Sequence, residues 1–306
     1  MPFSLTKDDN APLMRLPRRR DILARAASPL IRASAATLTL TCLLGTGPAI
    51  AGPYVPGGPT GELFPVAFDD PTIAGWATGF TTYLPGPGVA SEFADARKAL
   101  GPSQPRSSGD IVSLGRGGSI TLTFDAPIVD GSGADFAVFE NAFDVPGQGR
   151  FAELAWVEVS SDGTNFIRFP NVSLTPSPVG AFGLLDPTDL AGLAGKTLIG
   201  QGTAFDLEVL AQVPILDVND IRYLRVVDIV GDGSARDSIG NPIYDPYPTE
   251  ISAGFDLEAV AVLNQGVPVE PPARAEERVP LPVGILALAP LLAGIAVRTL
   301  EKARRR

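Results

Sequence analysis

The sequence predicts an all-β protein: an antiparallel β-sandwich, jelly-roll-like, with long loops, one or two short helices and a C-terminal transmembrane helix. Three observations predict it. Short segments alternate apolar and polar side chains at period two, as half-buried strands do. Between them lie stretches rich in the chain's 33 Gly and 30 Pro, the residues that punctuate strands with turns. Near the C-terminus, residues 279–297 form a 19-residue run without a charge. As a helix it covers roughly 28 Å, close to the thickness of a bilayer's hydrocarbon core.

The elements follow in chain order. Arg18, Arg19 and Arg20 precede a moderately apolar stretch, 33–44, and Ala49-Ile50-Ala51 supplies small residues for cleavage. Residues 1–51 therefore read as an export signal with Gly52 as the mature start. Arg19-Arg20-Asp21-Ile22-Leu23 resembles a twin-arginine signal, and an ordinary basic leader fits as well. Met14 offers a second start and a shorter leader. The single cysteine, Cys42, lies in this segment, so no disulfide holds the exported part.

Residues 52–264 read as the β-sandwich. The alternation in 119–125 predicts a strand, with Gly115 to Gly118 as the turn before it. Residues 134–140 and 153–160 are two more. Ser161-Asp162-Gly163 then turns the chain into 165–169, a hairpin. Residues 221–230 and 255–263 complete the set. Ser91 is placed to cap a helix over 92–99, and Asp186-Pro187 to start one ending by Gly195. Residues 265–278, rich in Pro and Glu, read as an extended stalk. Trp156, inside a strand, is expected in the core.

Charge divides the chain. Its net charge is −10, but residues 1–51 and 279–306 each carry +4, leaving −18 on the middle. So acidic a body repels nucleic acid and anionic lipid, and it is rich in the hard oxygen ligands of calcium. The chain has no histidine, which excludes Ser-His-Asp and Cys-His catalysis and every His-ligated metal site.

Val279-Pro280-Leu281-Pro282, the apolar run behind it and the basic end with Arg298, Lys302, Arg304, Arg305 and Arg306 resemble the PEP-CTERM family of bacterial sorting signals, in its VPLPA-type variant. Val283 stands where that variant usually has alanine. The resemblance implies recognition by an exosortase-type membrane peptidase and delivery to the cell surface or extracellular matrix, and the positive-inside rule places the body outside the membrane. Segments 135–143, 157–163, 235–242 and 254–260 resemble a domain common in proteins with such signals, one without an assigned activity.

Two constellations are candidates for function. Asp228, Asp232, Asp237 and Asp245 lie on a Gly-containing loop after a strong strand, a pattern that suits calcium or a set of Asx-turns. Glu140 and Asp256 lie at strand edges and converge with Asp228 if those strands are neighbours. Asp256 and Glu258 share a face if period two holds. Tyr244 and Tyr247 offer aromatic faces to sugar rings. The reading that results is an exported, surface-tethered, non-enzymatic protein that binds or organises extracellular polysaccharide, with calcium bound. A purely structural surface protein is the first alternative. A carbohydrate-active enzyme using paired carboxylates is the second.

Overall fold

The computed structural model describes residues 52–54, 63–104 and 110–268. The export signal, the C-terminal sorting signal with its span, and residues 269–278 of the expected stalk lie outside the described residues. Within them the fold is all-β. Along the chain the strands are β1 (Val66–Ala67), β2 (Gly75–Trp76), β3 (Gly79–Leu84), β4 (Val112–Ser113), β5 (Ser119–Ile128), β6 (Phe136–Glu140), β7 (Phe143–Val145) and β8 (Gly149–Phe151). They continue as β9 (Ala155–Ser160), β10 (Ile167–Arg168), β11 (Val172–Ser173), β12 (Leu190–Ala191), β13 (Gln201–Phe205), β14 (Ile221–Asp228), β15 (Asp232–Arg236), β16 (Pro242–Tyr244) and β17 (Asp256–Val262).

Two antiparallel sheets carry the molecule. One runs β1-β13-β6-β17-β2, with β4 also pairing β17; the other runs β10-β9-β14-β5-β3. Period two explains why they pack face to face. Ile120 and Leu122 of β5, Val157 and Val159 of β9, and Leu224 and Val226 of β14 are buried in one cluster with Phe136, Val138, Val260 and Val262 of the first sheet. Burying each such side chain stabilises the fold by about 1.5–3 kcal/mol. Inside this core Phe136 stacks on Phe205 at 5.2 Å, and Phe169 meets both rings edge-on.

The first sheet is covered on its outer face too. Ala137, Phe139, Ala204, Ala259 and Ala261 are buried there with Val66, against Leu63, Ile73 and Trp76. That explains why 134–140 and 255–263 read as nearly continuous apolar runs. The outer face of the second sheet is polar. Glu158 takes ion pairs from Arg168 (2.7 Å) and Arg225 (2.5 Å), and Arg168 lies over the Trp156 ring at 3.8 Å. Trp156 is thus half-buried on the outer face, under a guanidinium and packed against a second buried cluster that includes Leu154, Ile229 and Ile243, outside the core the two sheets share.

Local expectations were met unevenly. The hairpin around Ser161-Asp162-Gly163 forms, pairing Ile167 with Val159. Asp162 holds it by accepting backbone N–H bonds from Thr164 and Asn165, both at 2.8 Å. The helix over 92–99 is instead two 3₁₀ turns, Ser91–Phe93 and Ala96–Ala99. Ser91 lies inside the first of these and caps nothing; Asp95 caps the second through the Arg97 N–H at 3.1 Å. Asp186 does cap a turn at Pro187–Asp189, but the chain re-enters a strand at Leu190. Gln265 bridges to Ile128 and Gly266 bonds to the Pro127 carbonyl, so the sandwich runs two residues past Asn264. Among the described residues no helix is long and apolar enough to cross a membrane.

Candidate functional site

Pairing brings four strand ends together. Glu140 ends β6 opposite Leu257, and Asp256 begins β17 opposite Ser113. In the second sheet Asp228 ends β14 opposite Ala155, which begins β9, and Glu153 lies two residues before it. Asp245 follows β16 and accepts the Leu154 N–H at 2.8 Å. Five buried carboxylates from both sheets are thus gathered at one end of the sandwich.

Beside them opens a cavity of about 690 Å³, with Glu153, Asp256 and Asn141 in its lining. Its walls are aromatic and aliphatic. Phe143 and Phe151 face each other across the β7–β8 hairpin and stack at 5.2 Å. Phe182 comes from the loop between β11 and β12, Ile199 from the loop between β12 and β13, and Ile251 from the segment before β17. Phe182 is 91% exposed, Ile251 62% and Phe143 49%, so the rim presents large apolar groups to solvent. That is the composition of a ligand site: apolar walls with a few convergent polar groups.

Buried Arg150 positions the hairpin. Its guanidinium donates to the Lys196 carbonyl at 2.6 Å and pairs with Asp144 at 2.7 Å, while its backbone exchanges hydrogen bonds with Leu185. The opposite wall is tied down by Arg116, which donates to the Thr249 carbonyl at 2.6 Å and to Glu250 at 2.8 Å. On this wall Ile251 has φ +78°. A β-branched residue in the left-handed region is strained, and such strain concentrates at functional sites.

Burial dominates the electrostatics. It pushes the Glu140 and Glu153 carboxyls well above the usual range, and the charge of Asp256 pushes both further. Burial raises Asp256 to about 6, against hydrogen bonds from Ser113, Asn141 and Ser252 that favour its charged form. Burial likewise raises Asp228 to about 7, and Asp245 well above its ordinary value. Among the described residues, the donors that meet Glu153 and Asp256 on the cavity floor, and Glu140 behind them, are neutral. Thr249 Oγ1 donates to Glu153 at 2.7 Å, Ser113 Oγ to Asp256 at 2.5 Å, Asn141 Nδ2 to Asp256 at 3.2 Å, and the Ala142 N–H to Glu140 at 2.6 Å. The other oxygen of fully buried Glu140, Oε1, has no hydrogen-bond partner among the described residues.

The sequence-predicted residues sort by what their oxygens touch. Asp228 accepts the Gly117 and Phe255 N–H groups, each at 2.7 Å. Asp237 accepts from Ser173, Ile239 and Asn241, and exposed Asp232 from the Ser234 N–H. Glu140, Asp228 and Asp256 do reach the same end of the fold. Asp256 and Glu258 meet different neighbours, because a register shift between Leu257 and Ala259 breaks the alternation. Among the described residues, the group of three carboxylates with metal-ligand spacing is Asp130, Asp135 and Asp206, whose oxygens lie within 4.8 Å of one another. Tyr244 and Tyr247 are half-buried and outside the cavity lining, although the lining begins at Pro248.

Sequence reasoning did not single out Glu153, Phe143, Phe151, Phe182 or Ile251. The available signal was large apolar residues in loops otherwise rich in Gly, Pro and Asp, where a solvated loop has no use for them. No protein-family model matches the chain, and no match was found among curated proteins or solved structures.

Proposed function

We propose that this chain is an exported, surface-tethered, non-enzymatic binding module that holds extracellular polysaccharide in the cavity at the strand ends. The carrying observation is the cavity itself: stacked Phe143 and Phe151 with exposed Phe182 on the walls, and Glu153, Asp256 and Asn141 on the floor. Flat aromatic faces suit the C–H faces of sugar rings, and carboxyl and amide groups suit their hydroxyls. The PEP-CTERM-like tail supports delivery by an exosortase-type peptidase to the cell surface or matrix, with a C-terminal membrane helix as the intermediate anchor. We read the paired sheets as jelly-roll-like. Calcium belongs to this reading as a structural ion, with Asp130, Asp135 and Asp206 as the set whose spacing fits it.

Binding to a panel of matrix polysaccharides tests the proposal. Phe182→Ala, a change at an exposed rim residue, is expected to weaken binding several-fold without changing the melting temperature. Flat responses across the panel would leave a purely structural surface protein. One observation favours a second reading: Glu153 and Asp256 are carboxyls with raised pKa in one cleft, a setting that suits acid–base hydrolysis of glycosides. Reducing ends released from the bound polysaccharide, and lost in Glu153→Gln or Asp256→Asn, would establish that reading instead.

A further inference from the structure

The cavity's charge is one-sided. Among the described residues its lining holds three acidic side chains, Glu153, Glu250 and Asp256, and no basic one. Arg116 neutralises Glu250 on the rim at 2.8 Å. Glu153 and Asp256 are each 4% exposed and, among the described residues, are met by hydroxyls and an amide alone. Behind them Glu140 is fully buried, with Oε1 lacking a hydrogen-bond partner among the described residues. A buried carboxylate without a counter-charge is costly to ionise, and a cation bound beside it offsets that cost.

Two kinds of cation can be told apart by spacing. Calcium needs carboxylate oxygens at 2.3–2.6 Å from one centre. The floor carboxylates do not form a group of that spacing, which among the described residues belongs to Asp130, Asp135 and Asp206. An ammonium group on a larger molecule has no such requirement. It reaches separate carboxylates through separate N–H donors, while the body of the molecule lies on the Phe walls. A volume of about 690 Å³ admits one or two sugar rings rather than a bare ion.

We propose, on the footing of the polysaccharide-binding reading, that the saccharide this cavity takes carries a free amine: a hexosamine unit whose ring lies against Phe143 and Phe151 and whose ammonium is held by Glu153 and Asp256. An N-acetylated unit offers the floor a single amide N–H and no charge. A uronic acid or a sulfated sugar brings a like charge to the same floor and is rejected.

The test is calorimetric titration of the full-length chain, purified in mild detergent at pH 7. The probes are a glucosamine tetrasaccharide and its fully N-acetylated counterpart. The free amine is expected to bind at least about tenfold more tightly, a preference that shrinks as salt is raised. Glu153→Gln removes most of the preference. Phe182→Ala weakens both probes together, and its exposed position keeps the fold intact if Glu153→Gln does not fold. Equal binding of both tetrasaccharides, at all salt concentrations, overturns the amine while leaving the polysaccharide reading in place. Binding of neither up to millimolar concentration overturns the amine, and flat responses to the polysaccharide panel as well overturn both.

Discussion

Both oxygens of Asp228 are occupied by backbone N–H groups, from the turn before β5 and from the residue before β17. The side chain therefore ties the two sheets together at their shared end. Gly254 shows how tight that junction is: its φ is +67°, and a Cβ there would stand 2.5 Å from Asp228 Oδ1. Asp130 differs. Its Oδ1 is buried and without a hydrogen-bond partner among the described residues, in a group with Asp135 and Asp206. Calcium is accordingly expected to act through Asp130 and not through the loop after β14. At 100 times its dissociation constant calcium stabilises a site that exists only in the folded state by about 2.7 kcal/mol, a rise of roughly 5–11 °C in melting temperature. Thermal melts in excess EDTA and in millimolar calcium should show that rise in the native chain and in Asp232→Asn, and lose it in Asp130→Asn. Loss in Asp232→Asn alone would return the site to the loop.

The β7–β8 hairpin is the element on which the cavity depends. Three residues on each strand give it little stability of its own. Arg150 supplies what it lacks, reaching from β8 to the Lys196 carbonyl and to Asp144. Asp144 is half exposed, so the ion pair contributes little; the buried bond to the carbonyl matters more. Arg150→Met should cost about 1–3 kcal/mol in chemical denaturation, by leaving that carbonyl unpaired, and should weaken glycan binding as Phe143 and Phe151 lose their position. Arg150→Lys is expected to restore less than half, since an ammonium cannot span both partners as the planar fork does. Unchanged binding in Arg150→Met would show that the wall is held by other contacts. The hairpin also marks where sequence reading stops. β5, β14 and β17 were legible because each is a long run of strand-forming residues, seven or more. Two-residue strands such as β1, β4 and β12 carry no periodicity and exist because neighbouring strands accept them. At the site, Glu140 and Asp256 stood out as charges on apolar strands. Glu153, Phe143, Phe182 and Ile251 come from separate segments spread over about 100 residues, and only tertiary packing makes them neighbours. The register shift at Leu257/Ala259 has no sequence signature, which is why Asp256 and Glu258 were expected on one face.

The whole molecule responds to pH through two opposed sets of carboxylates. Glu140, Glu153, Asp228, Asp245 and Asp256 are raised by burial, and like charge adds to the effect at the first four. A raised carboxyl keeps its proton in the folded chain at a pH where the unfolded chain has released it. Its contribution is therefore fully present below about pH 4 and is lost as pH rises through the folded values, about 6 for Asp256 and about 7 for Asp228. Asp95 and Asp162 act in the other sense. The Arg97 guanidinium holds Asp95 down to about 2, and N–H donors from Asn165 and Thr164 lower Asp162, so what they contribute is lost as pH falls below about 4. Melting temperature should therefore peak near pH 4–5 and fall by several degrees toward pH 8. Asp256→Asn should flatten the alkaline side of that curve, because it removes one titrating group and the charge that raises Glu140, Glu153 and Asp228. A cationic ligand opposes the trend: it favours the ionised floor, takes protons off on binding, and stabilises the chain more near pH 7, where its amines still carry charge, than at pH 5. Melts of the full-length chain from pH 4 to 9, with and without the glucosamine tetrasaccharide, check both expectations. A melting temperature at pH 8 equal to or above that at pH 5 without ligand would mean that the buried carboxylates are already compensated, and would remove the electrostatic reason for a cation at the cavity floor.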